Sequence, residues 1–532
     1  KPGDENFLIQ LMEGVEDIPG TALHEGIDWE WETFPEFLDA IERKEFVMDL
    51  GFMIGHGPVR SYVMGYDRCQ NQVDASKDEI NQMSEIVEKA INAGALGFST
   101  SRTILHRDVH GVYVPGTEAS SEEMKELAFA VDRAGEGTLE IVSDWLDQEI
   151  EMSWMKEYVE KSDCGLTVLQ TNGDSVKTIL YCEEQFLKGK NVRPQFPGRN
   201  VGLMFGLESS LHPFIGHPSY KEISHLPLNE RLSIMRDPAF KQKILNESPS
   251  FREDLQKAAK EQKSNKTKEE IKAEAETGKK IISNYETQFI LSDPPNYEPT
   301  REDSIAYLAE LRSQSEEEVI YDELIKDDGK SLIYACFTPY EKYKLKFVES
   351  FYKLKSSVAG GSDGGAHCGL ICDASMPTTN LSHWARDRSA GNKIPLELII
   401  RKQTKDTAET YGLFDRGEIK TGMIADINII DFEKLNVSLP KMIFDLPKGG
   451  KRLVQESFGY LATIKSGEVV YENGQATGTL PGQVIRGKQT SEAKDTKEKI
   501  SFYDRTVRLF AVKLLRLFWA VRNKPVKSTV IS

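Results

Sequence analysis

The run Gly360-Gly361-Ser362-Asp363-Gly364-Gly365-Ala366-His367 sets one carboxylate among four glycines, with a histidine four residues further on. Glycine is costly to order and packs nothing, so such a bare backbone suits a place where the chain must approach a reacting group closely. A carboxylate held there can take a proton from an attacking nucleophile and return it to a leaving group, provided it lies within hydrogen-bond reach. The plain alternative is a turn aspartate, since Asp and Gly both favour turns. Asp363 is therefore the candidate catalytic residue, and His367 a candidate for orienting it or binding substrate. Arg102, His106 and Arg107 cluster in Ser101-Arg102-Thr103-Ile104-Leu105-His106-Arg107. Arg102 carries a planar fork able to clamp a carboxylate, with an ordinary surface ion pair as the alternative. His56, in Gly55-His56-Gly57-Pro58, is a third pocket candidate beside a structural turn histidine. His212 and His217 are five residues apart without an obvious third ligand, and Cys368 and Cys372 lack a second pair; neither spacing makes a metal site.

These residues need a scaffold that brings distant segments to one place. Apolar, β-branched runs at 46–52, 95–99, 138–142, 166–170, 201–205, 331–335 and 357–360 alternate with helical patterns such as 76–93 and 121–134. That alternation predicts a parallel sheet with crossover helices. Seven strands fall one short of a (β/α)8 barrel, so the first strand is expected upstream of Lys1. Barrel catalytic groups sit at the carboxyl ends of strands. His56, Arg102, Asp144, residues 170–172 and Asp363 all fall there. From Gly422 the pattern alternates as a half-buried strand, and 461–471 reads as a hairpin turning at Ser466-Gly467. The expected organisation is a barrel over 1–407 with a charged insertion at 251–280, a small β-sandwich part over 408–487, and a linker and tail over 488–532.

The chain has 532 residues and a formal net charge of −17. That acidity argues against nucleic acid, whose phosphates call for a basic surface. Six scattered cysteines suit a reducing, cytoplasmic setting. In the tail, Arg505, Arg508, Lys513 and Arg516 share one side of a helical wheel, and Phe510, Leu514, Leu517, Phe518 and Val521 the other. Such a helix docks on its own domain, on a partner, or on a membrane surface; the segment 505–522 is too short and too charged to span a bilayer.

Three stretches resemble the N-acyl-D-amino-acid deacylases (D-aminoacylase-like) of the amidohydrolase superfamily: residues 11–20 (LMEGVEDIPG), residues 95–102 (ALGFSTSR) and residues 361–364 (GSDG), with the strand 422–431 behind them. The resemblance runs from about Asn6 to about Gly487. It implies a metal-dependent barrel with a composite β-sandwich, hydrolysis of an amide bond in an N-acyl (D-)amino acid, and a divalent metal, zinc, that activates water. It places Asp363 as general base; Arg102, His106, His56 and His367 are the strand-end and loop candidates for binding the substrate. The metal ligands stay unassigned. The family's His-x-His or His-x-Asp pair and its cysteine are expected upstream of Lys1, and the histidines that follow the middle strands are replaced here by Glu140, Asp144 and residues 170–172. The alternative is a catalytically inactive amidohydrolase-like binding protein without a metal centre.

Overall fold

The computed structural model describes residues 3–145, 147–170, 176–250, 272, 276, 279–336, 338, 340, 342–490 and 500–522. Most of the expected insertion 251–280 lies outside them, as do the side chains of Phe518 and Val521.

Short polar residues start the helices. Helix α1 spans Glu5–Glu16. Helix α2, Lys77–Asn92, begins with a reciprocal box in which Ser76 Oγ accepts the Glu79 N–H and the Glu79 carboxylate accepts the Ser76 N–H. Helix α3, Ser121–Ala134, is capped by Ser120 and closed by Gly135 in the left-handed region. Helix α4 spans Gln148–Lys161 behind an Asp147 cap, α5 spans Val176–Leu187, and α6 spans Phe502–Arg522.

Six parallel strands form the main sheet: β1 (Ile54–Gly55), β2 (Gly97–Arg102), β3 (Thr138–Ser143), β4 (Gly165–Leu169), β5 (Val192–Pro197) and β6 (Val358–Gly360). They are ordered β1-β2-β3-β4-β5-β6, with every pair parallel. Among the described residues no pairing joins β1 to β6. Phe98, Leu139, Ile141, Leu166 and Val168 pack against Met83 and Val87 of α2, Leu127 and Val131 of α3, and Met155 and Val159 of α4. Each fully buried side chain of this kind contributes about 1.5–3 kcal/mol through removal from water. Parallel strands covered by helices thus follow the alternation in the sequence.

Three of the expected strands have other partners. Leu50–Gly51, within the 46–52 run, pairs with Val484–Ile485, and the sheet strand begins afterwards at Ile54. The runs at 201–205 and 331–335 form an antiparallel sheet with Gln288–Ile290 instead of joining the parallel one. A continuous apolar run reports burial on both faces but not strand direction. Conversely β5 was not expected at all. Its sequence VRPQFP contains two prolines, an arginine and a glutamine, yet all six residues are buried. Arg193 stacks over the Phe186 ring at 4.7 Å and lies 3.6 Å from Glu409, while Gln195 donates to the Tyr411 hydroxyl at 2.8 Å. Polar side chains with partners supply here what the apolar pattern lacks.

Beyond the sheet, Ile427–Ile430, Tyr460–Lys465, Glu468–Glu472 and Gln475–Ala476 form a four-stranded antiparallel sheet. The hairpin turns at Ser466 and Gly467 as expected, both with positive φ (53° and 86°). Helix α6 packs on α5, where Arg516 pairs with Glu184. No described helix is long and apolar enough to cross a membrane.

Candidate active site

The loop after β6 is strained in a specific way. Gly361, Asp363, Gly365 and His367 all have positive φ, at 75°, 42°, 94° and 50°. Asp and His are among the residues that enter the left-handed region most readily, and glycine enters it freely. At Gly361 a side chain would meet left-handed backbone and the Cβ of Pro197, 3.4 Å away. The outcome is a carboxylate carried clear of the sheet at the carboxyl end of its last strand, with Asp363 exposed to solvent.

Helix α1 holds this loop from the other side. The Cys368 N–H donates to the Glu16 carbonyl at 3.2 Å, and the Gly369 N–H to Asp17 Oδ2 at 3.0 Å. Asp17 Oδ1 accepts from Ser210 Oγ at 2.8 Å, fastening the 202–211 segment to the same point. His367 Nε2 stands 3.9 Å from Glu16 Oε2. Glu16 is held above the ordinary carboxyl range, first by burial and then by the Asp363 charge, against the pull of His367. Burial likewise raises Asp17.

The 101–109 loop closes the arrangement. The Val109 N–H donates to the Gln10 carbonyl at 3.3 Å. A Cβ on Gly14 would lie 2.3–2.5 Å from backbone atoms of Arg107 and Asp108, so glycine alone allows α1 this close. Gly14→Ala is therefore expected to push α1, and Glu16 with it, away from the loop. Because displacements near 1 Å at a positioning element cost up to 10²-fold in rate, turnover should fall by about tenfold or more while the purified chain stays folded. Parent-like kcat in that variant would remove α1 from the site.

Of the residues expected around the substrate, His106 and His367 lie near enough for their charges to interact. His106 Nδ1 lies 2.7 Å from Ser101 Oγ. Burial, then the charge of His367, pushes the imidazole down to about 4 against the pull of Asp144. The ring is neutral at pH 7 and can accept a proton. An NMR titration should find it neutral down to about pH 4; titration near its ordinary 6.5 would contradict this burial.

Two expectations are corrected. Arg102 is not available as a substrate clamp: its Nε donates to Glu151 at 2.7 Å and its Nη1 to the Gly116 and Ala119 carbonyls at 3.3 and 2.9 Å, with the side chain only 11% exposed. His56 is no pocket residue either. It is 2% exposed, with Nδ1 2.9 Å from Thr100 Oγ1 and Nε2 2.9 Å from Glu123 Oε1. Glu123 also accepts from Arg60, so His56 belongs to a buried polar knot between α3 and the helix His56–Met64.

Glu140 lies on β3 and is half-buried. The Tyr411 hydroxyl donates to its Oε2 at 2.7 Å and itself accepts from Gln195. Burial raises the Glu140 carboxyl, and Asp363 adds to the rise. Asp144 is occupied elsewhere, accepting from Thr103 Oγ1 and the Ile104 N–H at 2.7 Å each. Glu16, Asp17 and Tyr411 were not singled out as site residues from the sequence. Glu16 and Asp17 do fall within the 11–20 stretch that carried the resemblance, which was the available signal.

The family described as the amidohydrolase family matches residues 349–471, a span that includes Asp363 and His367. The D-aminoacylase of Alcaligenes xylosoxydans xylosoxydans is 30% identical over 120 residues, 23% of this chain and 22% of that enzyme. Over residues 349–471 the chain is similar to the amidohydrolase family. Its match spans about a fifth of that curated relative's length. Two solved D-aminoacylase structures share the fold more widely. A variant in complex with copper chloride is 17% identical with a TM-score of 0.50, covering 88% of this chain and 78% of that one. A structure described for its binuclear metal centre has the same identity and TM-score, covering 91% and 87%.

A resident metal needs several donor side chains converging on one point. Among the described residues no group of three or more His, Cys, Asp and Glu is placed to hold one. His212 and His217 are both buried, and neither belongs to such a group. Cys368 and Cys372 are buried free thiols. The described donors therefore do not make a site for a divalent metal.

Proposed function

We propose that this chain hydrolyses the carbon–nitrogen amide bond of an N-acyl amino acid, in the manner its D-aminoacylase relatives are named for, releasing a carboxylate and an amine. The observation that carries the reading is Asp363, standing exposed at the carboxyl end of β6 in a left-handed loop that α1 fastens down. Asp363 takes the proton of the attacking water and returns it to the departing nitrogen. His106, neutral and hydrogen-bonded to Ser101, binds the substrate from the β2 side, and His367 lies on the other side beside Glu16. A closed (β/α)8 barrel with a β-sandwich part belongs to this reading, as do zinc and ligands contributed by residues other than those described.

A second reading rests on one observation, the lack of a metal-holding group among the described residues. It makes the chain a binding protein on an amidohydrolase scaffold. Full-length protein assayed on paired N-acyl-D- and N-acyl-L-amino acids, with metal content measured on the same sample, separates the two. Turnover of the D series with about one metal per chain supports hydrolysis. Tight binding of the same compounds without turnover or metal supports the second reading.

A further inference from the structure

Ser101 and His106 stand as a pair that amide hydrolysis through Asp363 does not use. Ser101 is the penultimate residue of β2. Thr100, one residue earlier, faces α3 through Met124. Alternation along the strand turns Ser101 to the opposite face, half-buried at the carboxyl end of the sheet. Beyond it the chain doubles back. The Asp144 carboxylate accepts from Thr103 Oγ1 and from the Ile104 N–H, each at 2.7 Å, and the Asp144 N–H donates to the Arg102 carbonyl at 3.3 Å. That turn returns the His106 ring to Ser101, with Nδ1 2.7 Å from Oγ. A hydroxyl and an imidazole at this distance have the geometry of a nucleophile and its base, and the Asp144 charge pulls the ring toward its protonated form. Helix α1 brings the loop after β6 to the same end. Its Gln10 carbonyl accepts from the Val109 N–H and its Glu16 carbonyl from the Cys368 N–H, about 9 Å apart along the helix. Alternate residues of that loop, from Gly361 to His367, have positive φ. This is the backbone pattern that turns successive N–H groups toward one point and holds an anion. The N–H groups of Gly364, Gly365 and His367 donate to no partner among the described residues.

We infer that Ser101 and His106 form a nucleophilic centre that takes an acyl group from a small ester, with the N–H groups of Gly364, Gly365 and His367 receiving the oxyanion. The ring carries its hydrogen on Nε2, leaving Nδ1 free. Nδ1 takes the Ser101 proton as Oγ bonds to the carbonyl carbon. The bond from that carbon to the alcohol oxygen then breaks, and the proton passes from His106 to the departing alcohol. Water repeats the sequence on the acylated serine. Nδ1 takes a proton from the water, the water oxygen bonds to the acyl carbon, and Oγ leaves with that proton as the acid is released. The two steps need only the ester, water and these groups. This activity goes beyond the reading of Asp363 and does not depend on it.

The test exposes the full chain to 4-nitrophenyl acetate, with and without a chelator, and reads the early burst of 4-nitrophenolate together with intact mass and peptide mapping. An acetyl group on Ser101 and a matching burst are expected in both samples. Ser101→Ala should lose the burst and the label. His106→Gln, which keeps the nucleophile, should acylate about 10²–10⁴-fold more slowly. Ser101→Cys should carry the acetyl group as a thioester, so the outcome does not rest on one variant. The charged groups acting on the ring are His367 and Asp144, and burial holds it down to about 4. The burst rate should therefore persist as pH falls through the ordinary histidine range and drop only toward about pH 4. Acetyl groups on lysines but not on Ser101 overturn the inference. So does a Ser101→Ala chain with the parent's burst, or a His106→Gln chain acylated at the parent's rate. Acetylated Ser101 without any amide turnover upholds this inference and removes the reading of Asp363. Amide turnover that Asp363→Asn abolishes, with no acetyl group on Ser101 of the parent, does the reverse.

Discussion

Asp363→Asn should lose about 10²–10⁴-fold in kcat/KM on any amide the parent turns over, the range over which a positioned general base contributes. Its thermal midpoint should hardly move. Asp363 is exposed, and exposed substitutions that leave the backbone undisturbed stay within about 0.5 kcal/mol. Asparagine also enters the left-handed region about as readily as aspartate, so φ of 42° carries over. Asp363→Ala provides the contrast. It should be equally inactive, but alanine at positive φ costs about 1 kcal/mol or more, visible in calorimetry. If Asp363→Asn turned over at the parent's rate, the base would have to be sought among Glu16, Glu140 and His106, and the proposed function would lose its main support.

Much of this site was legible because the backbone demands particular residue types. Two of the four glycines around Asp363, Gly361 and Gly365, have positive φ, and an aspartate so placed at a strand's carboxyl end is a local signal. The caps at Ser76 and Ser120 and the turn at Ser466-Gly467 are local in the same sense. What escaped was set by partners far along the chain. Arg102 looks like a substrate clamp until Glu151 and two carbonyls are seen to occupy it. His56 looks like a pocket residue until Glu123 and Thr100 are seen at its two nitrogens. Strand β5 was hidden because Arg193 and Gln195 are satisfied by Glu409 and Tyr411, more than two hundred residues later. Periodicity registers burial by apolar side chains and is silent about burial by paired polar ones. The stretch 11–20 belongs with these: its role at the site follows from the long-range bonds of Glu16 and Asp17, which no local pattern announces.

The largest effect on stability is expected at Glu298, at a buried junction outside the candidate site. Its carboxylate accepts from Arg388 Nε at 2.9 Å and Nη2 at 3.1 Å, from His383 Nε2 at 2.9 Å and from the Leu345 N–H at 2.8 Å. Arg388 also donates to Glu349 at 2.9 Å and stacks over Trp384, 4.3 Å from its ring. Three separated segments therefore meet on one ion cluster, and the side chains of Glu298 and Arg388 are each 1% exposed. Glu298→Gln keeps the shape, removes the charge and turns an amide N–H₂ toward a guanidinium that can only donate. Breaking a buried pair from one side costs about 3–5 kcal/mol, to be read from denaturant unfolding followed by tryptophan fluorescence. The pH dependence has a fixed sign. Burial alone would raise Glu298, but the bonds from His383 and Arg388 outweigh it and hold the carboxyl at about 2, below its ordinary 4.5. The unfolded chain then binds the proton more tightly than the folded one, so this contribution is complete above about pH 4.5 and is lost as pH falls toward 2. In the Gln variant that acid-side loss should be shallower by the share of Glu298, while other lowered carboxyls keep theirs, among them Glu349, which is likewise held at about 2 by Lys353, Arg388 and Asn392 against its own burial. A variant with the parent's stability at pH 7 and the same acid profile would show that Arg388 finds its counter-charge elsewhere, and the junction would then be held by the packing of Trp384 and its neighbours instead of by Glu298.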